Sequence, residues 1–229
     1  MNAIFQQLAV LALPVLLAIT VHEAAHGFMA RQLGDDTAYR LGRVTFNPLK
    51  HIDLVGTLLV PITIFALSVA LSGSSLLFGW AKPVPVNWHQ LRHPRRDMAF
   101  VALAGPGANL LMAFLWGLVI LIAIHILKFA PNSASAAVLI SMAAAGVLIN
   151  LVLLALNLFP LLPLDGGRVI NALLPRPLSR VFSRLEPFGL IILLVLLFTG
   201  ILEKVLQPSV ALLLAMIPGN AIVRELFPF

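Results

Sequence analysis

Apolar residues in this chain gather in long unbroken runs rather than in stripes. Five runs are clear, at roughly 4–31, 98–127, 136–160, 187–203 and 208–223. None keeps the polar face that a helix on a water-soluble domain shows at three-to-four-residue spacing. A helix needs about 20 apolar residues to cross a bilayer. The first three runs therefore predict spanning helices, and the last two are short enough to be tilted or incomplete. A sixth stretch, 54–79, is apolar but holds Pro61 and a Ser72-Gly73-Ser74-Ser75 break. Proline, glycine and basic residues fill the connections between the runs.

Composition agrees with this pattern. The 229 residues are 60% hydrophobic and only 10% charged, with a mean hydropathy of +1.02, where soluble domains carry about 25% charged residues. The expected fold class is an all-α polytopic membrane protein, organised as a single membrane-embedded domain over 1–229. Cysteine is absent, so disulfides, thiolate metal ligands and a cysteine nucleophile are all excluded. The net charge of +6 fits basic loops at a membrane face rather than nucleic acid. No Lys or Arg precedes Arg31, so the first run lacks the basic start of a signal peptide and is expected to be retained.

Charge also bears on topology. If 54–79 dips into the membrane and leaves on the same side, 13 of the 15 basic residues share one face, and only Lys128 and Lys204 lie opposite. If it spans, the split falls to 9 against 6. The positive-inside tendency favours the dipping segment, with the N-terminus outside and the C-terminus in the cytoplasm.

Within the first run, residues 22–26 read His22-Glu23-Ala24-Ala25-His26. Histidines four apart share one face of a helix and can reach one Zn²⁺. A glutamate after the first histidine is the residue that activates water in zinc peptidases bearing this motif. Ionisable groups in an apolar span are rare and usually functional, which weighs against a chance match.

Two histidines leave a catalytic zinc site one protein ligand short. Of the nine carboxylates, Asp35, Asp36, Asp53 and Asp97 lie in basic, loop-like surroundings and are expected to be solvated. Glu186, Glu203 and Glu225 border polar turns or the C-terminus. Asp165 differs. It closes the segment Asn157-Leu-Phe-Pro-Leu-Leu-Pro-Leu-Asp165-Gly-Gly-Arg168, where two prolines break the helix and two glycines permit close backbone approach. Its competing role is to cap the short helix that follows; paired with the histidine motif, the ligand role is favoured. His51, His89, His93 and His125 stay open as alternatives, with solvated or interfacial positions expected for each.

Together, His22-Glu-Ala-Ala-His26, the Asn157…Pro160…Pro163-Leu-Asp165-Gly166 segment and Gly105-Pro-Gly-Ala-Asn109 resemble the site-2 protease family of intramembrane zinc metalloproteases. The match covers roughly 4–31 and 98–168. The resemblance implies a three-helix catalytic core, zinc held by His22, His26 and Asp165, and Glu23 as the catalytic acid/base. It also implies a transmembrane protein as substrate, cut within or near the lipid bilayer. A re-entrant element after the first core helix occurs in relatives and agrees with a dipping 54–79. No PDZ or CBS domain and no helix before the zinc-motif helix is evident, and 187–223 would add C-terminal helices.

The buried-looking amides Asn109 and Asn157 are candidates to bind substrate backbone or a developing oxyanion. Hydrogen bonding between helices is their competing role. The segment Trp80-Ala-Lys-Pro-Val-Pro-Val-Asn87 could pair edge to edge with an unwound substrate, its prolines limiting that to one edge. The expected location is a bacterial inner membrane, with the site near the cytoplasmic side. The alternative is a membrane metal-binding scaffold or transporter that uses the same polar groups without hydrolysis.

Overall fold

A computed structural model describes residues 2–72 and 79–228. Residues 73–78, which include most of the Ser72-Gly73-Ser74-Ser75 break, lie outside them. The described residues form helices and connecting loops, with no strand among them. In chain order the helices are α1 (Asn2–Gln32), α2 (Thr37–Arg40), α3 (Val60–Ser72), α4 (Pro94–Phe129) and α5 (Ala134–Asn157). There follow α6 (Asp165–Leu173), α7 (Arg176–Ser183), α8 (Gly189–Phe198), α9 (Ile201–Ala215) and α10 (Asn220–Leu226). Four stretches are long and apolar enough to cross a membrane: Val10–Gln32, Pro94–Phe129, Ala134–Asn157 and Arg176–Phe198. The protein is an integral membrane protein.

The core is three helices. α4 and α5 form an extensive antiparallel pair, and α1 packs on both. The run Ala143-Ala144-Ala145-Gly146 on α5 is buried, because small residues let membrane helices approach closely. Gly146 lies directly beneath the Trp116 indole of α4, where a Cβ would collide with the ring. Local signals set the helix ends. Pro94 starts α4, where a missing N–H costs nothing, and Asp97 in its first turn accepts the His93 N–H at 2.7 Å. Ser133 caps α5 by accepting the Ala136 N–H at 3.3 Å. Leu193, Leu202 and Leu161 join α8, α9 and the loop before α6 in a smaller apolar cluster.

Two expectations change. The break between the last two apolar runs falls at Gly200, whose φ of +71° suits glycine, not near Lys204–Gln207. Helix α9 therefore starts earlier and carries Pro208 inside it. Asp35 and Asp97 are buried, at 0% and 2% exposure, rather than solvated. Backbone amides explain both. Asp35 accepts from Thr37 N at 3.0 Å and Asn87 N at 2.6 Å, while Asp97 holds His93. Residues 54–72, within the segment expected to dip into the membrane, are helical, with a π-type turn over Leu54–Leu59 before α3.

Residues 80–87 cross the open side of the core as an extended strap. Its Trp80 and Lys82 N–H groups donate to the carbonyls of Gly56 and His51, at 3.0 and 2.9 Å. Arg43 Nη2 donates to the Lys82 carbonyl at 2.9 Å. Asp35 ties down its far end.

Candidate metal centre

Helix α1 carries His22 and His26 one turn apart, and α4 passes across them. His22 Nδ1 lies 2.5 Å from Asn109 Oδ1, and His26 Nδ1 lies 2.7 Å from the Val101 carbonyl. Both partners are oxygens that accept, so each Nδ1 carries the proton and donates. In a neutral imidazole that leaves Nε2 with its lone pair free. The two Nε2 atoms lie 3.0 Å apart, facing one point with no proton between them. Such an arrangement of lone pairs calls for a cation. The close approach of α4 depends on Gly105, where a Cβ would stand well inside contact distance of His26 Nε2 and His22 Cε1.

The third group arrives from the far end of α5. That helix stops at Asn157, and the chain turns back through Pro160 and a cis Leu162–Pro163 peptide. Leu164, not Asp165, occupies the cap position of α6, and Asp165 makes no capping hydrogen bond. Gly166 and Gly167 pack against the backbone of Leu158–Leu162 so closely that neither has room for a side chain. This fold turns the Asp165 carboxylate toward the histidines, with Oδ2 at 3.3 Å from Nε2 of both. Oδ2 is buried and has no hydrogen-bond partner, as both imidazole protons point elsewhere.

Among the described residues these three form the one group with metal-ligating atoms all within 4.8 Å of one another. Two neutral imidazoles and a carboxylate match the donor set of a catalytic zinc site. The group opens on a cavity of about 800 Å³ that Glu23 and Asn157 also line, with largely apolar walls including Leu153, Leu156 and Leu193. Glu23 Oε2 accepts the strap's Val84 N–H at 2.8 Å.

Relatives of the chain carry the same chemistry in their names. It is 37% identical over 198 residues to "Putative zinc metalloprotease YwhC" of Bacillus subtilis, covering 86% of this chain and 84% of that one. The chain belongs to peptidase family M50, the site-2 protease family. The profile of peptidase family M50 matches residues 122–199. "Putative zinc metalloprotease Rip2" of Mycolicibacterium smegmatis is 31% identical over 189 residues, 82% of this chain and 66% of that one. The Rip2 protein of Mycobacterium tuberculosis strain H37Rv is also 31% identical, over 79% of this chain and 63% of that one. No solved structure matches the chain. M50 peptidases are zinc-dependent.

In this M50 chain the structure brings His22, His26 and Asp165 together and places Glu23 on the shared cavity. Asn157 lines the cavity as well, with Nδ2 donating to the Leu153 carbonyl at 3.0 Å. Asn109 is placed otherwise. It is fully buried, and its amide is committed to His22, Asn150 and the Ala18 carbonyl. His51 is buried apart from the group, its Nε2–H donating to the Thr45 carbonyl at 3.0 Å. Two residues bearing on the site were not singled out from sequence. Asn150 was signalled only as a lone amide in an apolar run, and Asp35 only as a carboxylate after a helix stop.

Proposed function

We propose that the chain is an intramembrane zinc metalloendopeptidase, a single domain over 1–229, that cuts transmembrane proteins within or near the bilayer. The observation that carries this reading is the convergence of two motifs distant in sequence, His22–His26 and Asp165, beside a carboxylate, in one cavity within membrane-spanning helices. In it, His22, His26 and Asp165 hold the metal. Bound zinc supplies a Lewis acid that polarises the scissile carbonyl and makes water acidic enough to attack near neutral pH.

The chain's own residues do the rest. Glu23 accepts the proton of the attacking water and returns it to the leaving amine. The Val84 N–H on Oε2 fixes one carboxylate oxygen and leaves the other for the proton. Asn157 donates to substrate backbone from the cavity wall. The apolar walls accept side chains of a membrane segment, which must be locally unwound because helical carbonyls are otherwise engaged. The strap contributes one edge to that segment. Pro83 and Pro85 have no N–H to offer, and the N–H groups of Trp80, Lys82 and Val84 already serve this chain.

The test is cleavage of a helix-destabilised transmembrane reporter by protein reconstituted in liposomes. Glu23→Gln should lower the rate about 10²- to 10⁴-fold with zinc retained. Unchanged cleavage would rule out Glu23 as the acid/base, and no cleavage by zinc-loaded wild type would favour a scaffold or transporter role. We place the site toward the face with the basic loops. Single cysteines at Arg92 and Arg184 should then label from one side, and one at Lys128 from the other; labelling of all three from one side would reverse this.

A further inference from the structure

A chain of amides runs from the metal centre into the helix bundle, and its direction is set by a backbone carbonyl. The Gly146 carbonyl can only accept, and it takes a hydrogen bond from Asn150 Nδ2 at 2.8 Å. Asn150 must then present Oδ1 to its other neighbour, Asn109, whose Nδ2 donates to it at 2.9 Å. That donation turns Asn109 Oδ1 toward His22 Nδ1, at 2.5 Å. His22 must therefore carry its proton on Nδ1, and its Nε2 faces His26 and Asp165 as a lone pair. Each step follows from the one before by donor and acceptor chemistry alone. Asn109 and Asn150 are both 0% exposed, so the amides have no solvent to turn to. The remaining contact of Asn109, to the Ala18 carbonyl, is long at 3.4 Å and holds the amide weakly.

We propose that Asn150 is a positioning residue for the metal centre, acting through Asn109 to hold His22 in the tautomer that binds zinc. The proposal rests on the assignment of His22 as a zinc ligand. It makes Asn109 a support of the histidine rather than a contact for substrate. The competing role for Asn150 is plain adhesion between α4 and α5, which would affect the fold but not the metal.

The experiment measures zinc affinity by competition with a chromophoric chelator, together with the Co²⁺ absorption spectrum, on detergent-purified protein. Removing a group that orients a metal ligand costs about 10- to 100-fold in affinity. Asn109→Leu should fall in that range, and Asn150→Leu, one step further out, should weaken zinc about tenfold and alter the Co²⁺ bands. In Asn150→Asp a protonated carboxyl donates its O–H to the Gly146 carbonyl and accepts from Asn109 Nδ2, which should restore both. Asn150→Leu added to Asn109→Leu should cost nothing more, because its effect travels through Asn109.

Should Asn150→Leu not fold, Asn150→Ala, smaller than the residue it replaces and with nothing to accept from Asn109, is held to the same tenfold loss. Zinc affinity and Co²⁺ bands equal to wild type in Asn150→Leu or Asn150→Ala would overturn the proposal. So would additive losses in the double variant. A wild-type protein that binds no zinc would instead overturn the metal site on which it rests.

Discussion

Gly105 of α4 sits against both imidazoles, and the side chain it lacks is what the histidines' positions require. A methyl group there would have to displace His26 Nε2 and the His22 ring. Gly105→Ala gains helix propensity, about 0.5–1 kcal/mol, but should lose more to overpacking, about 1–3 kcal/mol, because both imidazoles are held by buried hydrogen bonds. Zinc affinity should fall about tenfold or more, read by chelator competition. Unchanged affinity would mean that α4 yields and does not brace the histidines. The neighbouring Gly107 meets nothing within 4 Å, so Gly107→Ala is the matched control. At this scale much of the candidate site was legible. The His22–His26 spacing and the adjacent Glu23 are local, and Asp165 emerged by elimination among nine carboxylates. What Asn109 touches was not legible, because its partner lies 87 residues away and nothing local distinguishes an amide facing substrate from one facing a histidine.

Among the elements, the strap over residues 80–87 was legible in its extended form but not in what holds it. Its acceptors lie on distant segments: Asp35, the His51 and Gly56 carbonyls, and Glu23 itself. Asp35 holds the strap's end through Asn87 and also caps the turn at Thr37, so Asp35→Ala would strand two part-buried donors. That should cost about 1–3 kcal/mol of stability and speed hydrogen exchange at Val84, Val86 and Asn87 while the α4–α5 pair stays protected. Equal exchange in both proteins would show that the strap is held by its side-chain packing alone. The helices themselves were more legible. Apolar runs predicted α1, α4 and α5 to within a few residues, since helix is the form in which a single segment satisfies its own backbone in lipid. The boundary at Gly200 was missed because Pro208 signals a break more loudly than a glycine does. Inside lipid, neighbouring helices and nearby side chains can absorb the hydrogen bond that a proline forfeits.

The whole molecule is an arrangement for bringing residues 22–26 to residue 165. Three helices meet along small-residue faces, and α4 supplies both the glycine that lets the histidines approach and the amide that orients one of them. The loop after α5 doubles back so that Asp165 reaches the same point. The start of α8 closes over that loop, with Gly189 pressed against the Leu162–Pro163 backbone. Composition alone pointed to a membrane protein, and the motif with its family resemblance pointed to zinc. The way the C-terminal helices brace the Asp165 loop was not foreseeable, because it depends on backbone contacts that leave no pattern in the side chains. The central claim is that both motifs make one metal site. Elemental analysis of zinc per chain in detergent-purified wild type, His26→Ala and Asp165→Ala tests it directly. About one zinc in wild type and loss of most of it in either variant is the predicted result, as expected for a three-ligand site. Full zinc in Asp165→Ala, or none in metal-replete wild type, would contradict it.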